Sequence, residues 1–183
     1  QYYYASKVGV RSPRNYSNED IKLFLDNLIR LPNSLVVKSN NELLEKKVEY
    51  VENVRNYFSK NYVSPLKIIQ ERLKGHSYGF FGIYMNGVLK SYFMHKRIRE
   101  EPLTGGSSTF AKSIYDQEIY DNSVKLLSDL SWNGVVMIEY KRCENNGKLY
   151  LIEINPKFWG SHDLAISAGR DLSLIHISET TRP

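Results

Sequence analysis

The chain has 183 residues, of which 42% are apolar and 13% aromatic. This length suits one domain or two lobes that share a site, and the apolar fraction supports a packed core, so a wholly disordered chain is excluded. Twenty-five Lys and Arg against 20 Asp and Glu leave a net charge of +5. That excess favours anionic ligands but is smaller than is typical of a nucleic-acid-binding protein.

The single cysteine and the absence of long apolar runs narrow the class further. Cys143 stands alone, which excludes an internal disulfide framework and a cysteine-rich zinc site. Cysteine usage of this kind suits a reducing compartment, and no apolar run approaches the roughly 20 residues of a membrane span. We therefore expect a cytoplasmic protein without a membrane partner, in which Cys143 is chemically inert.

The first third of the chain predicts short strands and helices. Residues 2–10 are aromatic and favour an extended conformation. Ser17 is a helix cap followed by acidic residues, and the apolar spacing from Ile21 to Ile29 continues the helix. Leu35–Lys38 is a predicted strand, and a long helix is expected from about Asn41 to Lys60.

After Pro65 the sequence becomes rich in strand signals. Asn86-Gly87, between two apolar runs, is the strongest short signal of a β-hairpin. The expected strands are Leu66–Glu71, Tyr78–Tyr84, Val88–Met94, Val135–Lys141 and Lys148–Asn155, with a helix over Asp116–Leu130 and a Gly- and Ser-rich loop over Gly105–Thr109. Helices mixed with antiparallel hairpins predict an α+β fold.

The last predicted hairpin places two carboxylates opposite each other. Pairing centred on Asn146 brings Glu139 opposite Glu153, with Cβ atoms about 4.5–5.5 Å apart, and Asn155 points the same way. Opposed like charges destabilise a sheet unless one is protonated, a basic side chain lies between them, or a divalent cation bridges them. Two carboxylates and an amide oxygen form a hard oxygen set that suits Mg²⁺.

The spacing leaves the choice between a basic side chain and a metal open. The basic residues that could satisfy the acidic pair are Arg97, Lys141 and Lys157, and a slip in the register of the hairpin would separate the two carboxylates. Arg97 and Arg99 alternate with Ile98 and therefore share one face of a strand, where they could grip phosphate oxygens in bidentate fashion.

Several further segments, taken in order along the chain, form a pattern together with the acidic pair. They are Ile68–Gly75, Lys96–Pro102 running into Gly105–Ser107, Trp132–Gly134, Val136–Tyr140, Leu151–Lys157 and Phe158–Ser161. As an ordered set they resemble the ATP-grasp superfamily, above all its carbamoyl-phosphate-synthase-like and carboxylate–amine ligase branches. The resemblance covers residues 68–169.

The resemblance implies a fold and a division into lobes. Members of this superfamily clamp a nucleotide between two lobes with antiparallel sheets. In this chain it implies a partial small lobe over residues 1–70 and a large lobe with the metal site over residues 71–171.

The resemblance also implies site residues and a reaction. It assigns Mg²⁺ or Mn²⁺ to Glu139, Glu153 and Asn155, and a catalytic role at the phosphates or acceptor to Arg97 and Lys157. The residues that it assigns to adenine on the hinge strand are Gln70, Glu71, Arg72 and Leu73. The implied reaction transfers a phosphoryl group from ATP to a small-molecule carboxylate, and an amine or similar nucleophile attacks the resulting acylphosphate.

Two segments compete for contact with the phosphates. In one placement Leu35–Lys38 is the strand that ends in the phosphate lysine, Lys38, although no glycine-rich loop follows. In the other, residues 5–11 form a worn version of the glycine-rich loop, with Gly9 for flexibility and Lys7 for charge. The second placement is preferred.

Both ends of the sequence are unusual, and other functions remain open. The chain opens on Gln1 without Met, and residues 172–183 resemble a translated sequencing adapter, so we expect a fragment with a non-native tail. The alternatives to a ligase are a catalytically quiet ATP-binding module, an ATP-grasp kinase, and a nucleic-acid-binding domain that uses the basic strand at Lys96. Glu100 and Glu101 argue against nucleic acid.

Overall fold

The computed structural model describes residues 1–39, 48–61, 64, 67–101, 107–158, 160 and 162–170. Its helices are α1 (Tyr2–Lys7), α2 (Asn18–Leu25), α3 (Val54–Lys60), α4 (Gln117–Asp129) and α5 (His162–Ser167). Its strands are β1 (Asn15–Tyr16), β2 (Leu35–Ser39), β3 (Val48–Val51), β4 (Lys67–Glu71), β5 (Gly75–Met85), β6 (Val88–Glu101), β7 (Ser107–Ser113), β8 (Gly134–Cys143) and β9 (Leu149–Asn155). Helices and antiparallel sheets confirm the α+β class.

The chain forms two compact units. Pro13–Leu73 is the smaller unit, and Gln1–Ser12 together with Lys74–Pro183 is the larger unit. The first twelve residues therefore lie in the larger unit, although the sequence analysis grouped them with the small lobe. Whether the two units correspond to the two expected lobes stays a prediction, and the expected tail over residues 172–183 lies outside the described residues.

The smaller unit is a four-stranded antiparallel sheet in the order β1-β4-β2-β3, with α2 and α3 packed on it. Ser17 caps α2 as expected: its hydroxyl accepts from the Asp20 amide, and the Asp20 carboxylate accepts from the Ser17 amide. The strand predicted at Leu35–Lys38 is confirmed as β2, the inner strand between β4 and β3. The strand predicted at Leu66–Glu71 is confirmed as β4, Lys67–Glu71.

The larger unit is built on a five-stranded antiparallel sheet in the order β7-β6-β5-β8-β9. Both predicted hairpins are present, and positive φ angles of 50° at Asn86 and 77° at Gly87 form the first turn. One sheet face, which we call the apolar face, packs against α1 and α4 through the main core of this unit. That core includes Ala5, Phe80, Met94, Ile119, Leu126, Ile138, Tyr140 and Leu151.

Every second residue of these strands points to the opposite sheet face, which we call the polar face. A smaller apolar cluster lies at one end of it, formed by Phe81, Ile83, Phe93, Met137 and Ala165 of α5. Beyond that cluster the same face carries charged side chains. The sheet thus separates a sealed core on one side from a partly open, ionisable surface on the other.

One predicted element is wrong and a second is wrong in part. Residues 2–7 form α1 instead of a strand, because Ala5, with Val8 just beyond the helix, seals the core on the apolar face. The long helix expected over about 41–60 is wrong at Val48–Val51, which form β3, and is confirmed at Val54–Lys60, which form α3. Residues 41–47 lie outside the described residues. In the described part of the chain, no helix combines the length and apolar character that a membrane crossing requires.

Candidate functional site

The register of the β8–β9 hairpin confirms the predicted carboxylate pair. Glu139 pairs directly with Glu153, and Met137 pairs with Asn155. Directly paired residues point to the same side of a sheet, so Glu139, Glu153 and Asn155 share the polar face. The pairing becomes irregular immediately after Glu139, between Glu139 and Tyr140.

A row of residues crosses the sheet through this pair. On β5, Gly79 pairs with Glu139 on one side and with His95 of β6 on the other. A Cβ atom at Gly79 would lie 2.5 Å from the Phe81 ring and 2.8 Å from Nε2 of His95. The glycine therefore provides the space in which the Phe81 ring and the imidazole close over the strand, beside the first carboxylate.

Arg97 lies against Glu139. Its Nη2 atom is 2.6 Å from Oε1 of Glu139, and its Nη1 atom is 3.6 Å from Oε1 of Glu100. The Arg97 side chain is only 10% exposed, so this charge-assisted pair is screened less than a surface ion pair. Of the basic residues considered from the sequence, Arg97 is the one that the structure brings to the pair.

The second carboxylate has a different environment. Within the described part of the chain, neither the Glu153 side chain nor the Asn155 side chain makes a hydrogen bond or an ion pair, and Asn155 is 7% exposed. Of the two paired carboxylates, Arg97 compensates Glu139 and not Glu153, which leaves the negative charge of Glu153 and the amide oxygen of Asn155 available. Two carboxylates and an amide oxygen on one face fit a hard divalent cation. No group of three or more His, Cys, Asp and Glu suited to a metal occurs among the described residues.

His95 is the buried titratable group of this row. The side chain is 1% exposed, and its ring meets Phe81 edge-on at a centroid distance of 4.7 Å. Burial, and next to it the Arg97 charge, lower the pKa of His95 from 6.5 to about 4. The imidazole is therefore neutral at physiological pH.

This lowered pKa predicts an acid-sensitive stability. Between pH 6.5 and about 4, His95 is protonated in the unfolded chain but stays neutral in the folded protein. The free energy of unfolding therefore falls by about 3 kcal/mol as the pH is lowered through this window. The measurement is urea unfolding at a series of pH values. A His95→Gln variant should show a shallower pH slope than the wild type, whereas the exposed His76→Gln control should keep the full slope. Equal slopes in wild type and His95→Gln would contradict the account.

The segment over residues 5–11, expected to form a glycine-rich loop, consists of the end of α1 and the turn that follows it, where Gly9 has a φ of 75°. Lys7 is the last residue of α1, and its ammonium lies 3.8 Å from the Asp129 carboxylate of α4. Both helices pack on the apolar face, opposite the carboxylate pair. Residues 2–7 thus form a packed helix, and the structure does not bring Lys7 to the acidic site.

The remaining predicted nucleotide residues lie in the smaller unit. Lys38, half-buried on β2, pairs with Ile68 and Val48. Gln70 is buried and its side chain donates to Asn15. Leu73 is also buried, Glu71 is half-buried, and Arg72 makes an ion pair with Glu52 and lies over the Tyr50 ring. Their assignment to a nucleotide stays a prediction.

Lys157, Cys143 and the loop at Gly105 are the remaining features singled out from the sequence. Lys157 is exposed, two residues after Asn155, and makes no ion pair within the described part of the chain. Cys143 is a buried free thiol at the end of β8. The loop at Gly105 and Gly106, expected to contact the acceptor, lies outside the described residues.

Sequence reasoning missed three residues of this site. An isolated glycine in the aromatic run around Gly79 was the available signal, because a glycine inside a strand marks a close approach of other groups. His95 precedes Arg97 by two residues and so shares its face. Glu100 gave no signal, because an odd spacing from Arg97 places it on the opposite face of a regular strand.

No protein-family model matches the sequence, and no curated protein matches it significantly. Solved structures do match the fold. D-alanyl-alanine synthetase A from Vibrio cholerae is 11% identical with a TM-score of 0.65, over 96% of this chain and 60% of that one. The biotin carboxylase domain of 2-oxoglutarate carboxylase from Hydrogenobacter thermophilus, solved with MgADP, ADP and bicarbonate, is 15% identical with a TM-score of 0.60, over 88% and 39%. The ATP-grasp ligase PsnB, solved with a minimal precursor, is 13% identical with a TM-score of 0.58, over 93% and 54%.

These similarities show the fold of the chain. The identities are 11–15%, and the chain spans 39–60% of the length of these three structures. The fold expected from the resemblance is therefore confirmed as the ATP-grasp fold, in a chain shorter than its structural neighbours.

Proposed function

We propose, on the premise of the ATP-grasp fold, that this chain is part of a Mg-ATP-dependent ligase. The ligase would activate a small-molecule carboxylate as an acylphosphate for attack by an amine or similar nucleophile. The observation that carries the proposal is the register of Glu139 opposite Glu153, with Asn155 on the same face. This oxygen set is the kind that Mg²⁺ uses when phosphates complete its coordination shell.

The metal would supply charge neutralisation to the transferring phosphoryl group. Glu139 and Glu153 would hold it from neighbouring strands, and Asn155 would add a neutral oxygen at a buried position. The hairpin pairing fixes the distance between the two strands, so the carboxylates are placed before any ligand binds.

Arg97 is the cation on this face that is positioned to meet phosphate. Its guanidinium is already beside the first carboxylate, and its planar donors match phosphate oxygens. We assign it to the transferring phosphoryl group, where the positive charge stabilises the transition state. Lys157 is exposed after the metal strand and is the second cation that we propose for the phosphates or the acceptor.

The nucleotide contacts of the smaller unit extend the proposal. With Lys7 engaged on the apolar face of the larger unit, Lys38 at the end of β2 is the lysine that we assign to the ATP phosphates. The hinge residues Gln70–Leu73 would contribute to adenine binding.

The reaction balances without a further reactant. A carboxylate oxygen attacks the γ-phosphorus of ATP, the bond to the β-phosphate oxygen breaks, and ADP leaves. An amine nitrogen then attacks the acyl carbon, inorganic phosphate leaves, and the nitrogen loses a proton. The acceptor acid and the amine are small molecules, and the cytoplasmic location stays a prediction.

The test is ADP release from Mg-ATP with a panel of carboxylic acids, amino acids included, and hydroxylamine as a general nucleophile. We expect ADP release that depends on one class of acid, together with hydroxamate formed from the acylphosphate. Stable phosphorylated product without phosphate release would indicate a kinase instead. ATP that binds only with Mg²⁺ but never turns over would indicate a quiet binding module. This is the second candidate, and the helix over residues 2–7 favours it, because it occupies part of the segment expected to cover the phosphates. Failure of Mg-ATP to bind would refute both.

A further inference from the structure

The Arg97 guanidinium lies between two carboxylates. One nitrogen makes a short ion pair of 2.6 Å with Oε1 of Glu139, and the other is 3.6 Å from Oε1 of Glu100. The first distance is a strong charge-assisted hydrogen bond, and the second is too long for one. Of these two carboxylates, Glu139 is in close contact with Arg97 and Glu100 is more distant.

Glu100 reaches this position because β6 is irregular. A residue three positions after Arg97 points to the opposite face of a regular strand. The pairing of β6 with β7 shifts twice, between Arg97 and Arg99 and again between Arg99 and Glu100. Such bulges change the direction of a side chain, and here the Glu100 side chain comes within ion-pair distance of Arg97.

The Glu100 carboxylate has an oxygen that is free to accept a hydrogen bond. The side chain is 15% exposed, and its Oε1 atom is buried without a hydrogen bond in the described part of the chain. A buried carboxylate oxygen that lacks a hydrogen bond is costly. A small movement of the guanidinium toward Glu100 would shorten the 3.6 Å contact into a hydrogen bond.

The close partner, Glu139, is also one of the proposed metal ligands. A guanidinium and a divalent cation compete for the charge of the same carboxylate, because each neutralises it. When the cation binds Glu139, the Arg97 charge loses this close ion pair, and a second carboxylate within reach can replace it.

We infer that Glu100 is a positioning residue: when a divalent cation binds Glu139, Glu100 accepts the ion pair from Arg97. The exchange would leave Arg97 charged, ordered and beside the metal-bound phosphates. This inference rests on the proposed function, because it requires the cation at Glu139. It differs from that function in assigning Glu100, which the reaction itself does not need, to the arginine.

The test is a double-mutant cycle on Mn²⁺ affinity, measured by calorimetry without nucleotide. Arg97→Gln should tighten Mn²⁺ binding about fivefold, because the competitor for Glu139 is removed. Glu100→Gln should weaken Mn²⁺ binding about fivefold, because the carboxylate that would receive Arg97 is then gone and Arg97 competes harder for Glu139. In the Arg97→Gln background, Glu100→Gln should change the affinity less than about twofold.

Controls separate this exchange from a general effect of charge and from misfolding. Glu144→Gln removes the same charge at an exposed position after β8 and should leave Mn²⁺ affinity unchanged. Thermal unfolding of each variant establishes that it is folded. If Arg97→Gln does not fold, Arg97→Lys serves as the background: it keeps the charge but loses the fork that spans two carboxylates, so the Glu100→Gln effect should shrink there as well.

The outcomes distinguish this inference from the proposed function. An equal effect of Glu100→Gln in both backgrounds, or none with Arg97 present, would overturn the role of Glu100. If the wild type binds Mn²⁺ and Glu153→Gln loses it, the proposed function survives that result. If Glu153→Gln binds Mn²⁺ as well as the wild type does, the metal assignment fails first, and the role of Glu100 fails with it.

Discussion

A Glu153→Gln variant is expected to bind Mn²⁺ about 100-fold more weakly than the wild type and to lose Mg-ATP turnover. Glutamine keeps the size and one oxygen of the side chain but removes the negative charge that Arg97 does not compensate. The loss of a charged ligand costs at least as much affinity as the tenfold to about 100-fold typical of an outer-shell residue. The measurement is Mn²⁺ binding by electron paramagnetic resonance, with turnover recorded in parallel.

The fold of this variant should be intact. Glu153 makes no side-chain hydrogen bond or ion pair within the described residues, and its removal also relieves repulsion from Glu139 across the hairpin. Thermal unfolding without metal should therefore show equal or slightly higher stability. Glu144→Gln, exposed beyond the end of β8, is the charge-matched control. Unchanged Mn²⁺ affinity in Glu153→Gln would show that the metal assignment is wrong.

A Gly75→Ala variant is expected to lose about 4 kcal/mol of unfolding free energy, the largest stability effect that we predict. Gly75 begins β5 with a φ of 148°, and a Cβ atom there would overlap the backbone carbonyl of Arg142 on β8. Backbone cannot move aside as a side-chain tip can, so the start of the β5–β8 pairing must open. The measurement is equilibrium unfolding in urea.

The control for this variant is Gly147→Ala. Gly147 also has a positive φ, of 66°, but a Cβ atom there meets nothing within 4 Å. This control carries the backbone strain without the overlap, and should lose only about 1 kcal/mol. Similar losses in the two variants would mean that conformational strain, and not the contact with β8, determines the cost.

The pairing of strands was the part of the fold most accessible from the sequence. Asn86-Gly87 and Asn145–Gly147 each specify a tight turn, and a turn fixes the register of the strands beside it. Counting outward from Asn146 placed Glu139 opposite Glu153, and the structure shows that pair. The count does not hold beside the turn, where Tyr140 pairs with Leu151, and the irregularity after Glu139 brings the two carboxylates into the counted register. Cap chemistry similarly located the helix that follows Ser17.

The errors came from segments whose structure depends on distant contacts. Tyr2–Lys7 has the aromatic content of a strand, but Ala5 fills a space in the core of the larger unit. Tertiary packing overrode local propensity there. The helix predicted from Asn41 to Lys60 failed at β3, where Val48–Val51 pairs with β2, a contact that helical spacing alone does not reveal.

The sequence predicted which two carboxylates of the candidate site face each other, but not which basic side chain contacts them. Register determined the relation of Glu139 to Glu153, whereas the choice of Arg97 over Lys141 and Lys157 depended on side-chain reach across strands. Glu100 was hidden because two irregularities in β6 change its direction. Bulges of this kind have no reliable signal in a single sequence.

The most direct test of the account is a crystal structure with Mn²⁺ and a non-hydrolysable ATP analogue, recorded at the manganese absorption edge. We predict an anomalous peak on the polar face, about 2.1 Å from carboxylate oxygens of both Glu139 and Glu153, with Arg97 moved toward Glu100. A peak elsewhere, with Arg97 still 2.6 Å from Glu139, would contradict the claim that this pair of carboxylates holds a divalent cation.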